Sequence, residues 1–278
     1  MRGLGTVYRW ELRKLISQKR TYIGIGAAFI YALAFVIVLS IKPSSAPQDI
    51  PFGSQIEHTG LALPLVLLTF AAVFGAPLVT VIVAGDIFAS EDNNDTLKTV
   101  LTRSVGRTPF YFAKTLVAGT YTLFVIFLTG LVSFVGASIA WGFNPLPGLV
   151  GDFGLSGQTF SAFGALGLVV VAYALYLLPL FAIAGFAVFL SAVTHNTTAS
   201  VVGGLFVPIV MQLIAAIPGV GNGKHYLLLY QFEAWHTLFR SSVDWSIIGR
   251  SIGMCALYGT ASIVAGWWFF RRRDVAGA

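Results

Sequence analysis

Few residues in this chain are of types and spacings that could do chemistry. Glu233-Ala-Trp-His236 sets an acid and a base one helical turn apart, and His195 and His225 add possible ligands. No His-Glu-x-x-His, no Gly-x-Ser-x-Gly and no pair of mid-span aspartates accompanies them, so an intramembrane hydrolase has little to stand on. A single cysteine, Cys255, excludes an intrachain disulfide and a Cys-based zinc cluster, and it reads as a packing residue. Gly219 to Lys224 ends in Gly-Lys, but its spacing is wrong for a phosphate-binding loop and His225 follows where a magnesium-binding Ser or Thr belongs. The chain therefore carries no ATPase motif, and no catalytic or metal-ligating set is assigned.

The charged run from Asp86 to Lys114 is different. Asp86, Glu91, Asp92 and Asp95 come first, followed by Lys98, Arg103, Arg107 and Lys114. Charge alone would make this a solvated loop with surface ion pairs. Asp95 followed by Thr96, Leu97, Lys98 and on to Leu101 predicts a short helix opened by an Asp cap, with Leu97, Val100 and Leu101 as its apolar edge. Such a helix, held between two spans, fits a groove on another protein.

The elements that must position this run follow from composition. The chain is 56% hydrophobic and only 10% charged, against roughly 25% charged in soluble domains. Lipid accounts for the missing charged surface. Six apolar stretches, about 22–41, 61–85, 111–141, 163–190, 197–217 and 248–270, reach spanning length. Continuous apolar runs predict an all-α membrane protein and exclude an alternating β-barrel. The net charge of +6 is spread over span edges and forms no nucleic-acid patch. With a cytoplasmic N-terminus, 13 of the 17 basic residues fall inside, so both termini of a multi-pass cell-membrane protein are expected in the cytoplasm. The basic start and the apolar run after it read as a retained anchor and not as a cleaved signal.

Residues 4–20 read as an amphipathic interfacial helix, with Leu4, Tyr8, Leu12, Leu15 and Ile16 on one face and Arg9, Arg13 and Arg20 on another. The same basic residues would also serve simply to fix topology; the apolar periodicity favours the helix. Residues 218–247 read as a helical segment at the outer interface or re-entrant, with Tyr226, Tyr230, Trp235 and Trp245 at headgroup level. Pro64, Pro77, Pro179 and Pro208 predict kinks, and Gly249 and Gly253 offer a close helix approach. With no long internal repeat, residues 1–278 form a single membrane domain.

The order Glu91-x-x-x-Asp95-Thr96-Leu97-Lys98, Leu101-Thr102-Arg103-Ser104-Val105-Gly106-Arg107 and Lys114-Thr115-Leu116 resembles the first cytoplasmic loop of ABC-2-type transporter permeases. Their usual pattern has Gly where Asp95 stands, Pro at Ser104 and Ser at Gly106. The resemblance implies a coupling helix that docks on a separate ABC ATP-binding subunit. Glu91 and Thr96 to Arg103 would face that subunit, while Arg107 and Lys114 anchor the return to the membrane. It further implies ATP and magnesium on the partner and none on this chain, and a second permease copy or paralogue. The substrate would be drug-, peptide- or lipid-like. Thr122, Thr129, Ser133, Asn196 and Gln212 are the polar candidates for a substrate path. An intramembrane enzyme, an ion-coupled carrier and a regulatory or immunity protein of the same fold are the competing readings. The carrier is disfavoured because the spans hold almost no ionisable residue between their ends.

Overall fold

A computed structural model describes residues 3–42, 51–94, 106–147, 159–215, 217, 219, 221–240 and 242–273. Among them the only extended pairing is an isolated antiparallel bridge between Leu146 and Phe160. Helix α1 runs Leu4–Ile16 and α2 Lys19–Ile41; α3, Ala62–Phe70, passes through a π-helical turn, Ala71–Gly75, into α4, Ala76–Asp86. After a short α5, Ala89–Asn93, come α6, Arg107–Trp141, α7, Ala162–Thr194, and α8, Thr197–Ala215. Two 3-10 segments, Gly221–Tyr226 and Leu229–Phe239, lead to α9, Trp245–Arg272.

Among the described residues five helices (α2, α6, α7, α8 and α9) are long and apolar enough to cross a membrane, which makes this an all-helical, multi-pass membrane protein. The expected span at 61–85 is not one helix. Pro77 has no N–H for the carbonyl one turn earlier, and the wider π turn immediately before it takes up the mismatch. Pro64 lies in the first turn of α3, where a missing N–H costs nothing. Ala62 to Leu68 are all buried, as befits a helix apolar on every side.

The sequence 4–20 also divides. Helix α1 stops at Ile16, Gln18 is extended, and Lys19 and Arg20 already belong to α2. The face of α1 turned into the protein is Val7, Glu11 and Leu15, while Leu4 and Ile16 are exposed beside the exposed Arg9 and Arg13. Tyr8 fixes the register by a hydrogen bond of 2.9 Å with Thr120 of α6.

Helix α7 is central, packed on α4, α6, α8, α9 and the Leu229–Phe239 segment. Small residues set the approach of α9, but not the expected ones. A methyl group at Gly249 or Gly253 would meet nothing within 4 Å, whereas one at Gly266 would lie 3.1 Å from the Phe189 Cα. At the end of the bundle away from α1, Phe52 stacks near Trp235 at 6.2 Å and meets Phe239 edge-on at 4.7 Å. Trp235, expected at headgroup level, is therefore an interior residue, 1% exposed, while Tyr226 and Trp245 are exposed.

The tightest backbone contact is where the chain enters α3. A Cβ on Gly60 would lie 2.6 Å from the Ala137 carbonyl carbon and the Ser138 nitrogen of α6. Gly60→Ala is expected to cost about 1–3 kcal/mol, as overpacking does, and Gly253→Ala nothing measurable. Thermal unfolding of both variants in detergent, followed by tryptophan fluorescence, checks the contrast.

Candidate functional site

Between α4 and α6 the chain carries most of the charges singled out in the sequence, and folding gathers the described ones at one end of the bundle. Lys114 lies two turns into α6 and is 1% exposed. Its Nζ donates to Glu11 Oε2 at 2.9 Å and to the Ile87 carbonyl at 3.0 Å, and it pairs with Glu91 Oε1 at 2.9 Å. Three acceptors for three N–H groups leave the ammonium fully satisfied. Its aromatic neighbours are Phe88 and Phe110, with ring centroids 5.4 and 5.0 Å away. Glu91 also binds Lys14, which sits at the half-buried edge of the cluster, so two lysines face two glutamates at this end of the bundle.

The surrounding turn is equally held. Asp86, the last residue of α4, pairs with Arg20 and accepts a 2.6 Å hydrogen bond from Thr197 Oγ1 at the start of α8. Ser191 Oγ, fully buried in α7, accepts from the backbone N–H groups of Phe88 at 3.1 Å and Ala89 at 3.0 Å. Asp92 receives a two-pronged bond from Arg273 at 2.7 and 2.8 Å and pairs with His195 at 3.0 Å. Arg107 donates to the carbonyls of Arg271 at 2.9 Å and Arg273 at 2.6 Å, closing the C-terminal end of α9. Residues 86–94 are thus tied to α1, α2, α6, α7, α8 and α9.

The two glutamates differ in environment. Burial raises Glu11; Lys114 opposes this, and the neighbouring Glu91 adds to the rise, so the carboxyl ends above its ordinary value. Burial also pushes Glu91 up, but Lys114 and Lys14 together outweigh it and hold that carboxyl below its usual range. Glu91 is the anion of the cluster and Glu11 the member that takes up a proton first.

This placement changes several expectations. Glu91, expected to face a partner, is 3% exposed and points inward, because the buried Lys114 needs its charge and the half-buried Lys14 adds a second cation. Lys114 and Arg107 tie the start of α6 to α1, α5 and the end of α9. Arg20 is part of the junction, not a free headgroup contact. Asp95, Thr96, Leu97, Lys98, Leu101 and Arg103 lie outside the described residues. Thr122, Thr129 and Ser133 are buried and donate to carbonyls of their own helix, at 3.0, 2.9 and 3.0 Å. Asn196 is exposed between α7 and α8, and its Oδ1 accepts from Ala199 N at 3.1 Å. Gln212 is exposed on α8. His236 is pushed down to about 4 by burial and by Arg240, and Glu233 is exposed. Among the described residues no group of three or more His, Cys, Asp or Glu could hold a metal ion.

Sequence reading passed over Glu11, Lys14, Ser191 and Arg273. One signal pointed to Glu11: it is the only acidic residue in the first 48, within an otherwise basic helix. Glu91→Gln removes a carboxylate whose stabilisation is present above the ordinary glutamate value and lost as pH falls through its lowered one. At neutral pH it is expected to cost about 3–5 kcal/mol, as breaking a buried pair does. Glu11 has the opposite sign, because its protonated form is favoured by folding and stability falls as pH rises through its raised value. Glu11→Gln should cost less than Glu91→Gln and flatten the fall of the unfolding temperature as pH rises above the ordinary glutamate range.

No curated protein matches this chain. A family model described as a protein of unknown function, DUF2705, matches residues 24–276, which takes in α3 to α9 and nearly all of α2. The chain belongs to the DUF2705 family.

Proposed function

We propose that this chain is the permease subunit of an ATP-driven exporter, moved by a separate ATP-binding subunit that docks on the loop between α4 and α6. The observation that carries the reading is the junction around Lys114. One buried cation joins α1, α5 and α6, and its neighbours tie the same turn to α2, α7, α8 and α9. A load applied to a loop rooted there reaches every long helix without first taking up slack. The order of residues from Glu91 to Lys114, similar to ABC-2-type permeases, supports the same reading.

In this proposal α3, the π turn and α4 together make the sixth crossing, and the charged end is cytoplasmic, which puts both termini there. The positive-inside rule supports that orientation. Leu97, Leu101 and Arg103 meet the ATP-binding subunit, with Asp95, Thr96 and Lys98 beside them, while Glu91 holds the loop's root. ATP and magnesium belong to the partner, and a second permease copy or paralogue completes the complex. The scarcity of ionisable groups between span ends supports a hydrophobic or amphiphilic cargo.

Affinity purification of the tagged chain from its native membrane, with mass spectrometry of what accompanies it, tests the reading. A P-loop ATPase in near-stoichiometric amount is the expected result. The double change Leu97→Asp and Leu101→Asp should remove it while leaving the unfolding temperature unchanged. Recovery of the chain without any P-loop ATPase, or full retention of one by the double variant, overturns the proposal.

A further inference from the structure

A cavity of about 210 Å³ lies inside the apolar region, enclosed by α2, the α3–π–α4 segment, α6 and α7. Its walls are the alanines and leucines of α2, α3 and the π turn, with Tyr31, Thr129, Tyr173 and Tyr176 as the polar side chains. Packed interiors hold few voids larger than a water molecule, so a space of this size needs a reason. Three of the four hydroxyls are already committed to backbone. Tyr31 donates to Leu67 O at 3.3 Å, Tyr173 to Pro64 O at 3.1 Å and Thr129 to Val125 O at 2.9 Å. Tyr176 differs: it is 1% exposed and its hydroxyl has no hydrogen-bond partner among the described residues. An unsatisfied hydroxyl is costly at this depth, where no bulk water competes.

The cavity opens sideways. Ala27 of α2 is exposed and Gly75 of the π turn half-exposed at its rim, and the exposed rings of Phe70 and Phe74 lie on the same segment. A π turn in a helix is a recurrent mark of a functional site, and here it forms part of the wall. Water is a poor occupant, since it needs two to four polar partners and only one uncommitted hydroxyl is offered. A cavity of roughly 150 Å³ lined by apolar side chains takes up benzene. The larger space here suits a ring with a short chain. The almost wholly apolar lining excludes a charged ligand.

We infer that this cavity is a binding site for a small lipophilic molecule carrying one hydroxyl or carbonyl oxygen, which enters from the bilayer between α2 and the π turn and hydrogen-bonds to Tyr176. The site belongs to a single copy of the chain and does not depend on the ATP-binding partner proposed above.

The test uses the full chain in nanodiscs and a diazirine-bearing alkylphenol as photolabel. Labelling should map to α2 around Ala27 to Tyr31 and to the π turn. Unlabelled para-propylphenol should compete for it about five-fold better than propylbenzene, the worth of one hydrogen bond. Tyr176→Phe keeps the ring and should erase that five-fold preference while propylbenzene competes as before. Ala71→Phe fills the cavity and should abolish the saturable labelling. Two results overturn the inference: unsaturable labelling spread over outward positions such as Ile139 and Phe163, or an undiminished preference for the phenol in Tyr176→Phe. Because Tyr176→Phe removes one atom, it decides the matter even where Ala71→Phe fails to fold.

Discussion

An ammonium group buried in a helical membrane protein must be given acceptors by the protein itself, and Lys114 imposes that demand. Its three N–H groups are filled by one oxygen each from α1, from α5 and from the Ile87 carbonyl in the turn between α4 and α5. Helix α1, which by its basic face alone would ride in the headgroups, is drawn against α6 because Glu11 is needed there. A buried ion pair adds little net stability over a well-packed apolar cluster, but it punishes every arrangement in which one member is missing. The effect of the cluster is therefore chiefly on geometry: it selects one placement of α1, α5 and α6.

The two ends of the bundle are organised by different forces. At the charged end, directional bonds fix positions to within a hydrogen-bond length, through Asp86, Ser191, Asp92 and Arg107. At the other end Phe52, Phe160, Trp235 and Phe239 meet as aromatic faces and edges, which tolerate sliding far better. The broken segment from Ala62 to Asp86 connects the two, and its irregular turn sits midway, beside the cavity. A rigid end, a softer end and a local defect between them make α3 and α4 the segment in which a displacement at Asp86 need not be copied unchanged at Gly60.

Most of the architecture was legible in the residues. Hydropathy and length found the five long helices to within a few residues at each end, because desolvation of a continuous apolar run leaves no other option. Hydropathy is blind to hydrogen-bond register, so it could not see that Pro77 divides the remaining apolar stretch. A GxxxG spacing says where a helix can approach another and not whether one is there, hence the empty surroundings of Gly249 and Gly253. Trp235 carries the signature of an interfacial residue, but Phe52, far away in sequence, supplies the contact that buries it. The site was half legible. Charges between α4 and α6 were evident, whereas their partners in α1, α7 and α9 lie 77 to 181 residues away and leave no local pattern.

Glu91 shows why residue order and residue role separate. Its position in the loop pattern marks it as important, and the simplest translation of importance is contact with a partner. A carboxylate flanked by two lysines at the inner face of α5 cannot turn outward without leaving Lys114 undercompensated. Under the permease role proposed above, the loop therefore divides its work. The contact with an ATP-binding subunit falls to residues after Asn94, and Glu91 makes that contact effective by keeping the root of the loop from yielding. A partner pushing on the loop then meets α1, α5 and α6 as one body. The same arrangement gives Glu11 a separate part, because its raised protonation leaves Lys114 held by Glu91 and Ile87 when the third acceptor is neutralised. Protonation of Glu11 weakens the charge tie between α1 and Lys114 and leaves that between α5 and Lys114 in place.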